Sequence, residues 1–148
     1  MIAKTIQIAV PFVWFGAVAA ISFMEAPLKF RAPGITLALG LGIGQLVFFA
    51  LNKIEIFLAA MFALSLLGTR AIGRTAAVVS GLIGLILLLE TVWLLPVLDV
   101  RAEQVIRGET PPFSNLHVVY IVFDALKLVL LMALGIIVVR HRIADGGG

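Results

Sequence analysis

The chain has 148 residues, of which 62% are hydrophobic and 13% are charged, with a formal net charge of +3. Soluble domains are about half apolar and about a quarter charged, so this composition indicates an integral membrane protein of one domain. The Lys and Arg residues stand mostly at the ends of apolar runs, where they anchor helices in lipid headgroups, and we expect no nucleic-acid partner. The chain has no cysteine, which excludes disulfides, thiolate metal sites and cysteine nucleophiles.

Long apolar runs predict an all-α, integral membrane four-helix bundle that occupies residues 1–148 as a single transmembrane domain. Pro27 and Pro33 are expected to close the first run, and Pro96 marks the exit of the third. We expect membrane spans at about residues 5–24, 52–67, 75–98 and 116–139.

Residues 35–51 are apolar but are interrupted by glycines at 40, 42 and 44 and by Gln45. Together with residues 52–67 they would make one very long helix. We favour a short interfacial or re-entrant helix that leads into the second span. The Gly40–Gly44 pair forms a GxxxG pattern, which predicts close helix packing.

Four spans place both termini on the same side of the membrane. The two faces carry similar numbers of Lys and Arg, but the turns on the terminal face are almost purely basic, with Lys4, Arg70, Arg74, Arg140 and Arg142. Acidic residues are mixed into the opposite face. We therefore expect a multi-pass protein of the cell membrane whose termini both lie in the cytoplasm.

Several motifs at the helix ends resemble the transmembrane protein 205-like family, whose bacterial members carry a domain of unknown function. They are Ala26-Pro27-Leu28-Lys29-Phe30-Arg31, Gly44-Gln45-Leu46-Val47-Phe48-Phe49, Leu95-Pro96 with Arg101, and Leu116-His117. The resemblance implies a four-helix membrane bundle and brings no assigned reaction. The sequence departs from the family at Asp124 and Lys127, in a helix where an Asn is more usual.

Four polar residues of the last apolar run fall on one helical face, because steps of three, four and three residues separate His117, Tyr120, Asp124 and Lys127. At a helical rise of 1.5 Å per residue, Asp124 lies about 10 Å and Lys127 about 15 Å deeper than His117. The same counting puts Glu90 near the middle of the third run, so these deeper residues are expected to meet there. Glu25, Glu55, His117 and Tyr120 are expected to form a more exposed set.

Two interpretations of the deep residues stay open. Asp124 or Glu90 can pair with Lys127 as a structural ion pair that fixes helix register. Alternatively, one Lys against two carboxylates leaves an acid over, and His117, Tyr120 and Asp124 then form a proton or ion relay from the surface.

Metal binding is a third interpretation. The di-iron carboxylate template fails, because no Glu is followed three residues later by His. A single ion held near the surface by His117 with Glu25, Glu55 or Asp99 stays open. The sequence identifies no cofactor.

The favoured hypothesis is a non-enzymatic membrane protein whose polar cluster serves an ion, proton or small-ligand pathway, or a lateral contact within a membrane complex. Self-association or a partner membrane subunit is expected, because four helices make a thin scaffold for a pathway. The alternative is a small membrane enzyme acting on a lipid or quinone-like substrate, with His117 and Glu25 or Asp124 as acid–base groups.

Overall fold

A computed structural model describes residues 2–67 and 72–144. These residues form four long helices and their connections, with no strand among them: α1 (Ile2–Lys29), α2 (Leu37–Leu66), α3 (Arg74–Ile106) and α4 (Leu116–Ala144). All four are long and apolar enough to cross a membrane. The shortest has 28 residues, about 42 Å of helix against a hydrocarbon core of about 30 Å. The predicted all-α class with four candidate spans is confirmed.

The helices follow one another around the bundle. α1 packs against α2 and α4, and α3 packs against α4 through its first half. α3 meets α2 mainly through its second half, so these two neighbours separate toward the end of the bundle that holds the termini. We call this the terminal end, and the end with residues 30–36 and 107–115 the loop end. An apolar core with Val18, Leu51 and Leu131 lies between the helices.

The prediction of a separate interfacial helix at residues 35–51 is wrong, because α2 runs without a break from Leu37 to Leu66. The Thr36 hydroxyl caps its start by accepting a hydrogen bond from the Leu39 N–H at 3.2 Å. Side chains from the end of α1 pack against two of the glycines in α2. The Phe30 ring covers Gly40, and Lys29 lies against Gly44. The close packing that the GxxxG pattern predicts thus involves side chains from the end of α1.

α1 and α3 both continue past the residues where the sequence predicted their ends, near 24 and 98. Each contains a π-helical turn, Ala19–Glu25 in α1 and Glu90–Leu94 in α3, and each turn stands two residues before a proline. A π turn widens the helix, which makes room for the proline ring and tolerates its missing N–H. Pro27 and Pro96 therefore lie inside continuous helices.

Candidate functional site

A buried ionic cluster lies near the middle of the bundle. The Lys127 ammonium on α4 contacts three carboxylates: Glu55 on α2 at 2.6 Å, Asp124 one turn earlier on α4 at 2.9 Å, and Glu90 on α3. All four side chains are at most 1% exposed. We call these four residues the Lys127 cluster.

Trp14 adds the remaining helix to the site. Its indole N–H donates a hydrogen bond of 2.8 Å to Oε1 of Glu55, the oxygen that also contacts Lys127. Trp14 is 4% exposed and belongs to the apolar core. Helices α2, α3 and α4 therefore supply the four residues of the Lys127 cluster, and α1 supplies the tryptophan that donates a hydrogen bond to it.

Charge is unbalanced within the Lys127 cluster. Three carboxylates surround one ammonium, so two negative charges are in excess when all four groups are ionised. Oε1 of Glu90 and both carboxylate oxygens of Asp124 are buried and accept no hydrogen bond from the described residues. The Asp124–Lys127 contact is thus an ion pair without hydrogen-bond geometry. Burying a carboxylate costs free energy when its charge is not balanced and its oxygens accept no hydrogen bond. A proton or a cation bound at these oxygens would reduce that cost.

The backbone around Glu90 is also irregular. Glu90 is the first residue of the π-helical turn Glu90–Leu94. In the same turn the Thr91 hydroxyl accepts a hydrogen bond of 2.8 Å from the Asn52 side chain of α2 and donates one of 2.7 Å to the Leu87 carbonyl. Single π turns within α-helices are frequent at functional sites. In this protein the π turn carries the Glu90 carboxylate, which contacts Lys127 of α4, and the Thr91 hydroxyl, which bonds to Asn52 of α2.

The loop side of the Lys127 cluster is covered by an aromatic layer. Tyr120, one turn before Asp124, is 3% exposed and packs edge-on against Phe48 with ring centroids 5.5 Å apart. The ammonium of Lys29 lies 5.3 Å from the Phe48 centroid and forms an ion pair of 3.3 Å with Glu25. These side chains form a continuous column from the loop end toward Asp124.

The structure divides the predicted site residues differently from the sequence. It brings Glu90, Asp124 and Lys127 into contact. The placement of Glu55 and Tyr120 in a more exposed set is wrong, because both are buried. Glu55 lies in the middle of α2 because that helix begins at Leu37 rather than near residue 52.

The two remaining candidates lie apart from the Lys127 cluster. His117 is exposed in the first turn of α4, and Glu25 pairs with Lys29. The predicted metal site of His117 with Glu25, Glu55 or Asp99 is not assembled: within residues 2–67 and 72–144, no group of three His, Asp or Glu residues is placed to hold a metal ion. The structure likewise shows no contact between His117 and a carboxylate in this part of the chain.

Sequence reasoning missed a second buried polar group at the terminal end. The Gln7 amide donates a hydrogen bond of 2.8 Å to the Ser65 carbonyl, and its oxygen accepts one of 3.1 Å from Nε of Arg142. Gln7 is fully buried and Arg142 is 7% exposed. A lone glutamine within an apolar run was the available signal. Arg70, predicted to belong to the basic turns at this end, lies outside the described residues.

No protein-family model, curated protein or solved structure matches this chain. The resemblance to the transmembrane protein 205-like family stays a prediction that rests on the quoted motifs.

Proposed function

We propose that the protein crosses a membrane as four helices and that the Lys127 cluster binds and releases protons as part of a proton pathway. One observation carries the proposal: three enclosed carboxylates share a single ammonium. A structural ion pair needs only one acid for one base. Two carboxylate charges therefore stay uncompensated when all four groups are ionised, and in hydrocarbon each would cost about 2.5–3.5 kcal/mol.

Proton binding relieves the imbalance in charge and in hydrogen bonding together. A proton on one carboxyl removes a negative charge and creates an O–H donor among oxygens that accept no hydrogen bond from the described residues. Lys127 is held by contacts to three helices, so it stays in place while a carboxyl changes its protonation state. We assign the exchangeable proton to Glu90 and Asp124, because Oε1 of Glu90 and both carboxylate oxygens of Asp124 accept no hydrogen bond from the described residues.

We propose that protons enter from the loop end. The column of Glu25, Lys29, Phe48 and Tyr120 leads toward Asp124 and contains titratable side chains. On the opposite side of the Lys127 cluster the core is apolar, with Leu131, Leu134 and Val138 and no titratable side chain among them. This asymmetry supports a site that is reached from one end at rest.

The proposal also includes the orientation of the protein in the membrane and its association with a further subunit. Basic residues at the terminal end favour a cytoplasmic location for both termini in the cell membrane, and the loop end then faces outward. A bundle of four helices is small for a complete pathway, so we also propose self-association or a partner membrane subunit.

The proposal is tested by proton flux in liposomes that contain the purified protein and a trapped pH-sensitive dye. A potassium gradient with valinomycin supplies the driving potential. We expect the lumenal pH to change faster than in protein-free liposomes, and Asp124→Asn to abolish the excess rate. Asn keeps the size of the side chain and removes its charge.

Glu103→Gln is the matched control, because Glu103 lies on the loop end of α3 in an exposed ion pair with Arg107. It should retain the wild-type rate. A wild-type rate equal to that of protein-free liposomes, or an unchanged rate in Asp124→Asn, would count against the proton pathway. Circular dichroism of each variant checks that the helices are intact.

A further inference from the structure

A groove of about 310 Å³ opens between α2 and α3 near the terminal end, where these two helices separate. Phe62 and Leu66 of α2 form one wall, Gly81 and Gly84 of α3 form the other, and Trp14 lies at the floor. The lining is apolar except for Ser80, whose hydroxyl donates to the Ala76 carbonyl of its own helix at 2.8 Å. The groove thus offers a hydrocarbon-like surface to an occupant.

The two glycines keep the groove open. A Cβ atom added at Gly81 or at Gly84 would meet no atom within 4 Å, so neither glycine serves close packing with another helix of the bundle. By contrast, Gly40 and Gly44 lie directly against side chains. Because both glycines of α3 line the groove, side chains at these positions would fill it.

A positively charged side chain lies on the same face of α3 as the two groove glycines. Arg74, the first residue of α3, lies seven residues before Gly81, and therefore on the same helical face and about 10 Å nearer the terminal end. Its side chain is exposed. The described residues at this end include the cations Lys4, Arg74, Arg140 and Arg142 and no carboxylate. Arg74 is therefore the cation placed beyond the terminal end of the groove on the same face of α3.

We infer that the groove binds one acyl chain of an anionic phospholipid whose phosphate contacts Arg74. The charge at Arg74 complements a phosphate, and the apolar lining complements the chain below it. A helix of a second copy would offer its apolar side chains to the groove but no phosphate to Arg74. The inference needs the four helices to cross a bilayer, but it does not depend on proton binding by the Lys127 cluster.

Trp14 provides a direct measurement, because it lies at the groove floor and Trp93→Phe leaves it as the only tryptophan. The Trp93→Phe protein is reconstituted into vesicles that contain either phosphatidylglycerol or phosphatidylcholine with the same brominated acyl chains. Bromine quenches nearby tryptophan fluorescence. We expect stronger quenching of Trp14 by the brominated phosphatidylglycerol at equal bromine content.

Variants then separate the groove from the general lipid environment. Gly81→Leu and Gly84→Leu should each lose the additional quenching by phosphatidylglycerol. Gly16→Leu should keep it, because Gly16 is an exposed glycine of α1 outside the groove where a Cβ atom also meets nothing within 4 Å. Two independent groove variants guard against a folding defect in one of them.

Arg74→Gln should remove the preference for phosphatidylglycerol, whereas Arg140→Gln, with the same change in charge at the same end, should retain it. Equal quenching by both lipids in the Trp93→Phe protein would overturn the inference. The inference would also be overturned if Gly16→Leu lost as much of the additional phosphatidylglycerol quenching as Gly84→Leu. If Arg74→Gln and Arg140→Gln reduced the preference for phosphatidylglycerol equally, the assignment of the phosphate to Arg74 would be wrong.

Discussion

The Nζ atom of Lys127 lies 2.6 Å from Oε1 of Glu55, and the two side chains join the middle of α4 to the middle of α2 inside the bundle. The same ammonium contacts Glu90 of α3, and Trp14 of α1 donates a hydrogen bond to Glu55. One lysine is thus the centre of contacts that involve every helix. We expect it to fix the rotation of the helices as well as to compensate the carboxylates.

Lys127→Met is expected to destabilise the protein strongly. It removes the ammonium that contacts these three buried carboxylates, and breaking a buried ion pair on one side costs about 3–5 kcal/mol. The free energy of unfolding, measured by titration with sodium dodecyl sulfate in mixed micelles, should fall by that amount. Adding Asp124→Asn and Glu55→Gln to the variant should recover part of the loss, because both changes remove uncompensated charge.

Lys53→Met is the control for lysine removal. The Lys53 side chain is exposed and lies 4.3 Å from the Phe49 ring centroid. Surface substitutions usually change the free energy of unfolding by about 0.5 kcal/mol or less. Similar losses in Lys53→Met and Lys127→Met would refute the central role of Lys127 in stability.

Trp14→Phe removes the indole donor to Glu55 while keeping an aromatic ring in the core. Leaving a buried acceptor without its donor costs about 1–3 kcal/mol, and the smaller ring adds to this loss. Trp93→Phe, at a tryptophan that is 46% exposed, should have a much smaller effect. The same unfolding titration compares the two variants. A Trp14→Phe protein as stable as Trp93→Phe would show that the hydrogen bond contributes nothing to stability.

Counting residues along the helices was enough to predict that Glu90, Asp124 and Lys127 lie at one depth. Helical rise is constant, so distance along the sequence converts directly into depth once a helix boundary is right. The predicted start of α4 at Leu116 is right. α3 ends at Ile106 rather than near residue 98, but it is continuous through Glu90, so counting along it still places Glu90 deep in the bundle. The sequence therefore predicted the part of the Lys127 cluster that lies on α3 and α4.

Glu55 was misplaced because its helix boundary was wrong. Glycines at 40, 42 and 44 are poor helix formers, and they suggested an interruption where the packing of Phe30 and Lys29 supports a continuous helix. Such support is tertiary and leaves no periodic signal in the sequence. The hydrogen bond of Trp14 to Glu55 could not be predicted, because it depends on the rotation of α1 relative to α2, which residue spacing alone does not determine.

Infrared spectroscopy tests most directly whether the Lys127 cluster holds an exchangeable proton. Exposed carboxyl groups ionise well below neutral pH, so a protonated-carboxyl band in the membrane-reconstituted protein at neutral pH reports buried acids. We predict that the wild type shows this band, that it diminishes as the pH is raised, and that it is lost when Asp124→Asn is combined with Glu90→Gln. A wild-type spectrum with ionised carboxylates alone at neutral pH, or a band unchanged in the double variant, would contradict an exchangeable proton in the Lys127 cluster.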